Sequence, residues 1–268
     1  GSREAAPTTP TRPVVAPLRA SIGQFRFDEG TRRLSAGVTN DGAGDIRVTR
    51  ATVDWAAMAF PTLTLPGDVV HPGQTAAFTI RFGAARCARS VGRRPVMVAV
   101  VDGRTQRLNL HVDQPGLLGR LRAKDCAQQR LGREAVVRLR LATGTERVAG
   151  EEYLPGDLVL RHRSGASEEV RVVDLGGSVL LDLEPRGGRR TLPAALPGNR
   201  RELRLPVLLG SVHRCDAHAR GQSSQTFLIS AFVRLGADPV QRVVLPLDTS
   251  ERVRLEGILD RDCSSPAP

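Results

Sequence analysis

The chain has 268 residues and a formal net charge of +11, from 39 basic and 28 acidic side chains. This length predicts two domains of ordinary size, each able to bury its own core. A balance this basic is typical of proteins that bind nucleic acid or an anionic surface, although only Lys124 is lysine and arginine-rich codon usage explains part of the excess. The seven Phe, one Trp and one Tyr are too few for stacking bases, so nucleic acid is not expected as a partner.

The first 17 residues differ in composition from the rest of the chain. Gly1-Ser2 is typical of the remnant of a cleaved purification tag, and residues 3–17 form a Pro/Thr/Ala tract typical of extended spacers. No apolar run approaches the ~20 residues of a membrane span. We interpret the tract as the stalk of an exported protein, secreted or held at the cell surface, that would reach the membrane only through an N-terminal anchor missing from this sequence. An ordinary disordered N-terminus is the alternative.

Two stretches of the chain follow the same pattern, which indicates an internal repeat. HPGQTAAFTIRFGAARC (71–87) and LPGNRRELRLPVLLGSVHRC (196–215) both run from Pro-Gly through an alternating segment to Arg-Cys. Two more strand-like segments and an Asp-Cys follow each of them. We therefore predict two domains, a short polar linker and a tail, with boundaries at 18–127, 128–132, 133–264 and 265–268.

The four cysteines allow three disulfide pairings, and the repeat selects one of them. If each copy folds as a unit, Cys87 pairs with Cys126 and Cys215 pairs with Cys263. Loops of this size stabilise a domain by about 3–5 kcal/mol in the chain-entropy description. Disulfides persist outside the cytosol, so this pairing agrees with an extracytoplasmic location.

Hydrophobic and polar residues alternate along several short segments, among them 78–82, 137–141 and 203–207. A period of two predicts strands with one buried face. Gly and Pro are frequent, and we find no long, capped helical pattern. The predicted fold is therefore all-β, with two tandem antiparallel β-sandwich domains.

Two segments are typical of a known group of domains. One is VTNDGAGDIRVTRATV (38–53), which is followed by a Pro-Gly-Gln turn, a strand and a cysteine, and the other is RCDAH (214–218) in the second copy. The chain resembles the tandem immunoglobulin-like or fibronectin-like sandwich domains of exported proteins from high-GC Gram-positive bacteria. This resemblance implies a fold and no catalytic residues. Trp55 precedes the first cysteine and the second copy has no tryptophan, so the disulfides do not have the antibody placement.

The stretch SVHRCDAH (211–218) has a composition typical of a small metal site. His213, Cys215 and His218 carry the nitrogen and sulfur ligands that zinc and copper prefer. In the repeat, however, Cys215 corresponds to Cys87, whose neighbours include no histidine, so we predict a disulfide there. We expect no metal and no cofactor, with a site at His213 and His218 as the alternative.

Signals for catalysis are weak throughout the chain. The motifs of a P-loop, a nucleophile elbow, a zinc protease or a dinucleotide site do not occur. His71, His111 and His162 lie in turns, at strand ends or in outward registers, and we interpret them as solvent-facing. The sequence therefore predicts a protein that is not an enzyme.

The strongest functional signal is an arginine-rich stretch, RGGRRTLPAALPGNRRELR (186–204), which contains one acid, Glu202. Guanidinium groups bind phosphate and carboxylate in a bidentate manner. The candidate anion-binding residues are Arg186, Arg189, Arg190, Arg200, Arg201 and Arg204. The alternative is a solvated loop in an arginine-rich protein.

Taken together, these features predict a non-enzymatic module of the cell envelope that binds or scaffolds, with a protein or an anionic envelope polymer as its partner. The alternative is an accessory domain pair of an envelope enzyme, or a metal-handling protein that uses the His213/His218 loop.

Overall fold

The computed structural model describes residues 17–88, 92–163, 165, 167–216 and 226–264. The chain divides into two compact units, Gly1–Arg122 and Ala123–Pro268. Within the described ranges, the helices are too short or too polar to cross a membrane. Apart from Pro17, the predicted stalk lies outside the described residues, as does the predicted tail.

The first unit contains eight strands in one sheet, ordered β4-β3-β7-β8-β1-β2-β6, with β5 paired to β3. Neighbours are antiparallel except β1 and β8, which run parallel. A short 3₁₀ helix at Arg26–Asp28 follows the first strand. The strands are β1 Leu18–Gly23, β2 Arg33–Asn40, β3 Ile46–Asp54, β4 Leu63–Thr64, β5 Val69–Val70, β6 Thr75–Arg81, β7 Val96–Val101 and β8 Arg104–Val112.

The second unit contains two antiparallel sheets. One has the order β10-β11-β15-β13, with β9 paired to β11, and the other has the order β14-β12-β16-β17. A 3₁₀ helix at Arg189–Thr191 precedes β14. The strands are β9 Ala135–Leu141, β10 Glu146–Val148, β11 Glu151–His162, β12 Val170–Gly176, β13 Leu181–Pro185, β14 Ala194–Leu196, β15 Glu202–Ser211, β16 Ile229–Leu235 and β17 Gln241–Leu245.

A single hydrophobic core joins the two sheets of the second unit. Leu158 and Val207 reach it from the first sheet, and Val172 and Val233 reach it from the second. Alternate residues of a strand point to opposite faces, so each of these strands presents one apolar face to the core. This packing fixes the ends of β11 and β15, where the candidate site lies.

Within the described ranges, two helices depart from the predicted all-β fold: α1, Leu117–Glu134, and α2, Thr249–Ser264. The predicted all-β class is correct for most of the described chain and wrong for these two segments. The parallel pairing of β1 with β8 departs from the predicted antiparallel order, and the tandem sandwich arrangement stays a prediction. α2 begins with a capping box, in which Asp248 Oδ1 accepts the Glu251 backbone N–H at 2.8 Å and Glu251 Oε2 accepts the Asp248 N–H at 2.8 Å. Its core residues lie at helical spacing and are Leu255, Ile258 and Leu259.

The predicted linker at 128–132 is part of α1, and the boundary between the units falls after Arg122. The predicted domain limits at 127 and 133 both lie inside α1, and they stay a prediction. The polar composition of residues 128–132 is typical of a spacer. However, Ala127 and Leu131 are buried one helical turn apart. The segment is therefore a helix with a narrow apolar side.

The elements after the two Pro-Gly turns occur in the same order along the chain. β6 and β15 are each followed by a cysteine, two strands and a helix that carries the next cysteine. Cys215 and Cys263 form a disulfide with their Cα atoms 5.3 Å apart. Cys87 and Cys126 are also disulfide-bonded, so none of the four cysteines, all of them described, is free.

Candidate anion-binding site

Two of the six candidate arginines, Arg186 and Arg204, are neutralised by neighbouring carboxylates. Arg186 donates to both carboxylate oxygens of Glu146, with 2.8 Å between Nη1 and Oε1. Arg204 Nε donates to Glu202 Oε1 at 2.7 Å. These guanidinium groups are therefore already engaged within the protein.

Arg189 is also engaged, and it joins the two sheets of the second unit. Its Nη1 lies 2.8 Å from Asp174 in β12, and its Nη2 lies 3.1 Å from Asp182 in β13. Desolvation by burial opposes the charged form, but Asp182 and then Asp174 outweigh it and raise the pKa of Arg189 above its usual value. The role of Arg189 in this structure is to connect strands.

Arg200 and Arg201 are placed differently, because they line a cavity of about 530 Å³ in the second unit, which we call the arginine cavity. Arg161 and Arg163 also line it, although they lie far from the arginine-rich stretch in sequence. The antiparallel pairing of β11 with β15 sets Arg161 opposite Glu202 and so brings the two segments together. The other lining residues are Val136, His162, Gly198 and Asn199.

The arginine cavity carries positive charge that the described residues do not neutralise. None of Arg161, Arg163, Arg200 and Arg201 forms an ion pair with an acidic side chain in the described ranges. Arg163 Nε donates to the Gly132 carbonyl at 2.9 Å, an interaction that positions the group without removing its charge. Four guanidinium groups around one concave site favour an anionic ligand.

A fixed turn presents Arg200 and Arg201. The Arg200 N–H donates to the Pro197 carbonyl at 3.0 Å, and the His162 N–H donates to the Arg201 carbonyl at 3.0 Å. A Cβ atom on Gly198 would lie 1.8 Å from the Ser167 carbonyl oxygen, so this close approach admits only glycine. The backbone on this side of the cavity is therefore held in place before any ligand binds.

His162, predicted to be solvent-facing, is 8% exposed, so that prediction is wrong. It shares its strand face with Leu158 and Leu160, and it therefore points toward the core side of β11. Neither ring nitrogen hydrogen-bonds to a described residue. Buried polar groups nearly always have partners, so the enclosed His162 ring has unused hydrogen-bonding groups behind the cavity wall. His71 and His111 are exposed, in agreement with the prediction that they face solvent.

The sixth candidate, Arg190, is exposed and does not line the arginine cavity. The structure thus divides the arginine-rich stretch into two groups. One group, Arg186, Arg189 and Arg204, is paired with carboxylates, and the other, Arg200 and Arg201, joins Arg161 and Arg163. The sequence does not predict Arg161 and Arg163 as part of the site, because only the register of β11 with β15 brings them to the arginine-rich stretch.

The alternative metal site is only partly within the described chain, because His218 lies outside it. His213 Nε2 lies 2.8 Å from Glu151 Oε2, and its Nδ1 lies 3.6 Å from Asp262 Oδ2. One ligand atom from each of Glu151, His213 and Asp262 lies within 4.8 Å of the others, a spacing at which three such groups could hold an ion. Cys215 is in a disulfide and offers no thiolate. These contacts form a polar cluster of one imidazole and two carboxylates.

The chain matches no family model and no curated protein. Among solved structures it is similar to the CsuC–CsuE chaperone and tip adhesion subunit pre-assembly complex of Csu pili from Acinetobacter baumannii, at 11% identity and a TM-score of 0.20 over 86% of this chain and 98% of that one. It is also similar to CBD12 from CALX1.2, at 12% identity and a TM-score of 0.20 over 89% of this chain and 86% of that one. A third similar structure is the BSP domain of a biofilm-associated protein, at 7% identity and a TM-score of 0.21 over 86% of this chain and 58% of that one. Scores this low carry no argument, so the resemblance to sandwich domains of high-GC Gram-positive bacteria stays a prediction.

Proposed function

We propose that this chain is a non-enzymatic, extracytoplasmic module that binds an anionic polymer of the cell envelope through the arginine cavity. The observation that carries the proposal is the set of four unneutralised guanidinium groups, of Arg161, Arg163, Arg200 and Arg201, around one concave site. Arginine recognises carboxylate and phosphate groups through paired N–H donors, and a concave site raises the affinity for a charged unit of a polymer.

The side chains around the arginine cavity support binding rather than catalysis. Arginine stays protonated at any ordinary pH and does not exchange protons as a general acid or base. Among the described residues that line the cavity, none has a serine, cysteine or carboxylate side chain that could serve as a nucleophile. The chemistry that these arginines supply is recognition of charge.

The disulfides support a location outside the cytosol. Cys215 and Cys263 are bonded to each other, and Cys87 and Cys126 are disulfide-bonded as well. Such bonds persist in oxidising compartments, where envelope polymers are found. An anionic envelope polymer is therefore an available partner for a basic exported module.

The test is binding to soluble phosphorylated dextran, which carries phosphate monoesters, with neutral dextran as the reference polymer. We expect binding that weakens between about 0.1 M and 1 M salt, since the screening length falls from about 10 Å to about 3 Å. The double variant Arg200→Glu/Arg201→Glu should lose at least about tenfold in affinity.

The matched control is Arg81→Glu/Arg104→Glu in the first unit, where both arginines are exposed and form no ion pair with a described residue. It changes the net charge by the same amount and should bind nearly as wild type. Equal losses in the two double variants would reduce the effect to net charge and overturn the proposal. Binding that ignores salt would overturn it as well.

A further inference from the structure

We infer that the arginine cavity is a selective site for a phosphate monoester carried on a unit about the size of a sugar. This inference rests on the proposed function and names the chemical group that would be recognised. It draws on three properties of the cavity: the arrangement of its arginines, its volume, and the unpartnered imidazole in its wall.

The arrangement of the arginines favours a phosphate over a carboxylate. Arg161 and Arg163 flank His162 at the end of β11, whereas Arg200 and Arg201 come from the turn that precedes β15. A carboxylate has two oxygens in one plane, and a single guanidinium fork occupies them. A phosphate monoester has three terminal oxygens and a charge of about −1.5 to −2, so it can accept from several forks in different directions. Four arginines on two chain segments match the larger charge and the tetrahedral shape.

The volume favours an anion that carries a larger group. A cavity of about 530 Å³ lies within the range of small-molecule sites and far exceeds what one anion fills. Asn199 lines the same space and offers amide donors and an acceptor. Such a group can recognise the hydroxyls of a sugar or polyol once the phosphate is held by the arginines.

His162 supplies a second and independent indication of a ligand. More than nine-tenths of its surface is buried, it lines the cavity, and neither of its ring nitrogens has a partner among the described residues. Both nitrogens are enclosed by protein, so ligand oxygens would satisfy them only once the cavity wall opens locally. The exposed arginines beside it provide charge, and the buried imidazole provides selectivity, because only a ligand that enters the cavity can reach it.

The first experiment is calorimetric titration of the full chain with glucose 6-phosphate, glucuronate and inorganic phosphate. The first two ligands share a hexose ring and differ in the anion, while the third lacks the carrier. We expect glucose 6-phosphate to bind at least about tenfold more tightly than either of the others. Equal affinity for all three ligands would overturn the inference, because it would show that the site senses charge alone.

The variants locate the binding. Arg200→Gln/Arg201→Gln removes two exposed cations and should weaken glucose 6-phosphate binding at least about tenfold, whereas Arg81→Gln/Arg104→Gln should leave it unchanged. In the wild-type chain, long-range ¹H–¹⁵N spectra should show the ligand shifting the His162 ring resonances and not those of exposed His111. A ligand that binds without shifting His162 would place the site elsewhere.

The outcomes separate this inference from the proposed function. Polymer binding that persists while none of the three small ligands binds would overturn the phosphate monoester site and leave the binding module intact. Binding of glucose 6-phosphate without binding of phosphorylated dextran would support the site and assign it to a free small molecule instead of an envelope polymer. Failure of both would overturn both.

Discussion

The two ends of the arginine-rich stretch carry the same residue type and differ in what surrounds it. Arg186 and Arg189 lie beside acidic strands and are held by Glu146, Asp174 and Asp182. Arg200 and Arg201 lie beside the basic end of β11 and line a cavity, with no acidic partner among the described residues. The density of arginine in a sequence therefore does not reveal how much of its charge is available to a ligand.

The difference originates in the pairing of strands. β13 carries Asp182 on the sequence LDLEP and supplies the carboxylate that neutralises Arg189. β15 instead begins opposite Arg161, and its first acid, Glu202, is already bound by Arg204. The first group thus stabilises the fold, and the second group remains available. The predictions below test this division.

The largest effect is expected from Gly198→Ala in the turn that presents the second group. The added Cβ would lie 1.8 Å from the Ser167 backbone oxygen, so the turn must move. We expect a loss of about 1–3 kcal/mol in unfolding free energy, as for other overpacked sites, and weaker polymer binding although every arginine remains. Urea unfolding and polymer titration measure the two effects. Gly144→Ala is the control because its Cβ would meet no atom within 4 Å, and an equal effect there would contradict the account.

The next effect concerns the paired group. In Arg186→Glu/Arg189→Glu, the new carboxylates would face Glu146, Asp174 and Asp182. Since both arginines are about half exposed and solvent screens their ion pairs, we expect a loss of only about 1–2 kcal/mol in total, with little change in affinity for polymer. Chemical denaturation and binding assays separate these outcomes. A large loss of affinity without a loss of stability would reverse the roles that we assign to the two groups.

A smaller effect of opposite sign is expected at His162. His162→Leu replaces a buried imidazole without partners by an apolar side chain, so the unfolding free energy should rise by about 1 kcal/mol. The same variant should weaken binding of glucose 6-phosphate. His111→Leu at an exposed position should change neither property. A strong destabilisation by His162→Leu would show that the imidazole has a structural partner, which contradicts its availability to a ligand.

The smallest effect is expected outside both groups, at the start of α2. The Glu251 backbone N–H, which Asp248 accepts, is the main cause that lowers the pKa of Asp248 below its ordinary value of 3.8. A carboxyl with a depressed folded pKa contributes stability above its unfolded pKa and loses that contribution as the pH falls through the folded value. Asp248→Asn should therefore lower the melting temperature at pH 7, and the difference from wild type should shrink in acid. A constant difference from pH 7 to pH 2 would argue against this role of Asp248.

The strands could be predicted because hydrophobic and polar residues alternate along the sequence with a period of two. The segments 78–82, 137–141 and 203–207 lie mostly or wholly in β6, β9 and β15. The helices were missed because their apolar sides are narrow, although the Asp-x-x-Glu pattern at 248–251 is a capping signal that the sequence displays. Local rules thus identify a strand by its alternation and overlook a polar helix unless its cap is sought.

The candidate site could be predicted only in part. Arg200 and Arg201 were visible as a cluster, but their connection to Arg161 and Arg163 depends on the register of β11 with β15, which single-strand patterns do not determine. The burial of His162 could have been recognised, because it continues the alternation of Leu158 and Leu160. The neutralisation of Arg186 and Arg189 could not, because the carboxylates belong to other strands.

The most direct test of the central claim is to record the arginine Nε–Hε resonances of the ¹⁵N-labelled chain during titration with phosphorylated dextran. The account predicts that the signals of Arg161, Arg163, Arg200 and Arg201 shift first and saturate together. The signals of Arg186, Arg189 and Arg204 should stay in place at the same polymer concentration. Shifts that begin at the paired arginines, or that spread evenly over the arginines of both units, would contradict it.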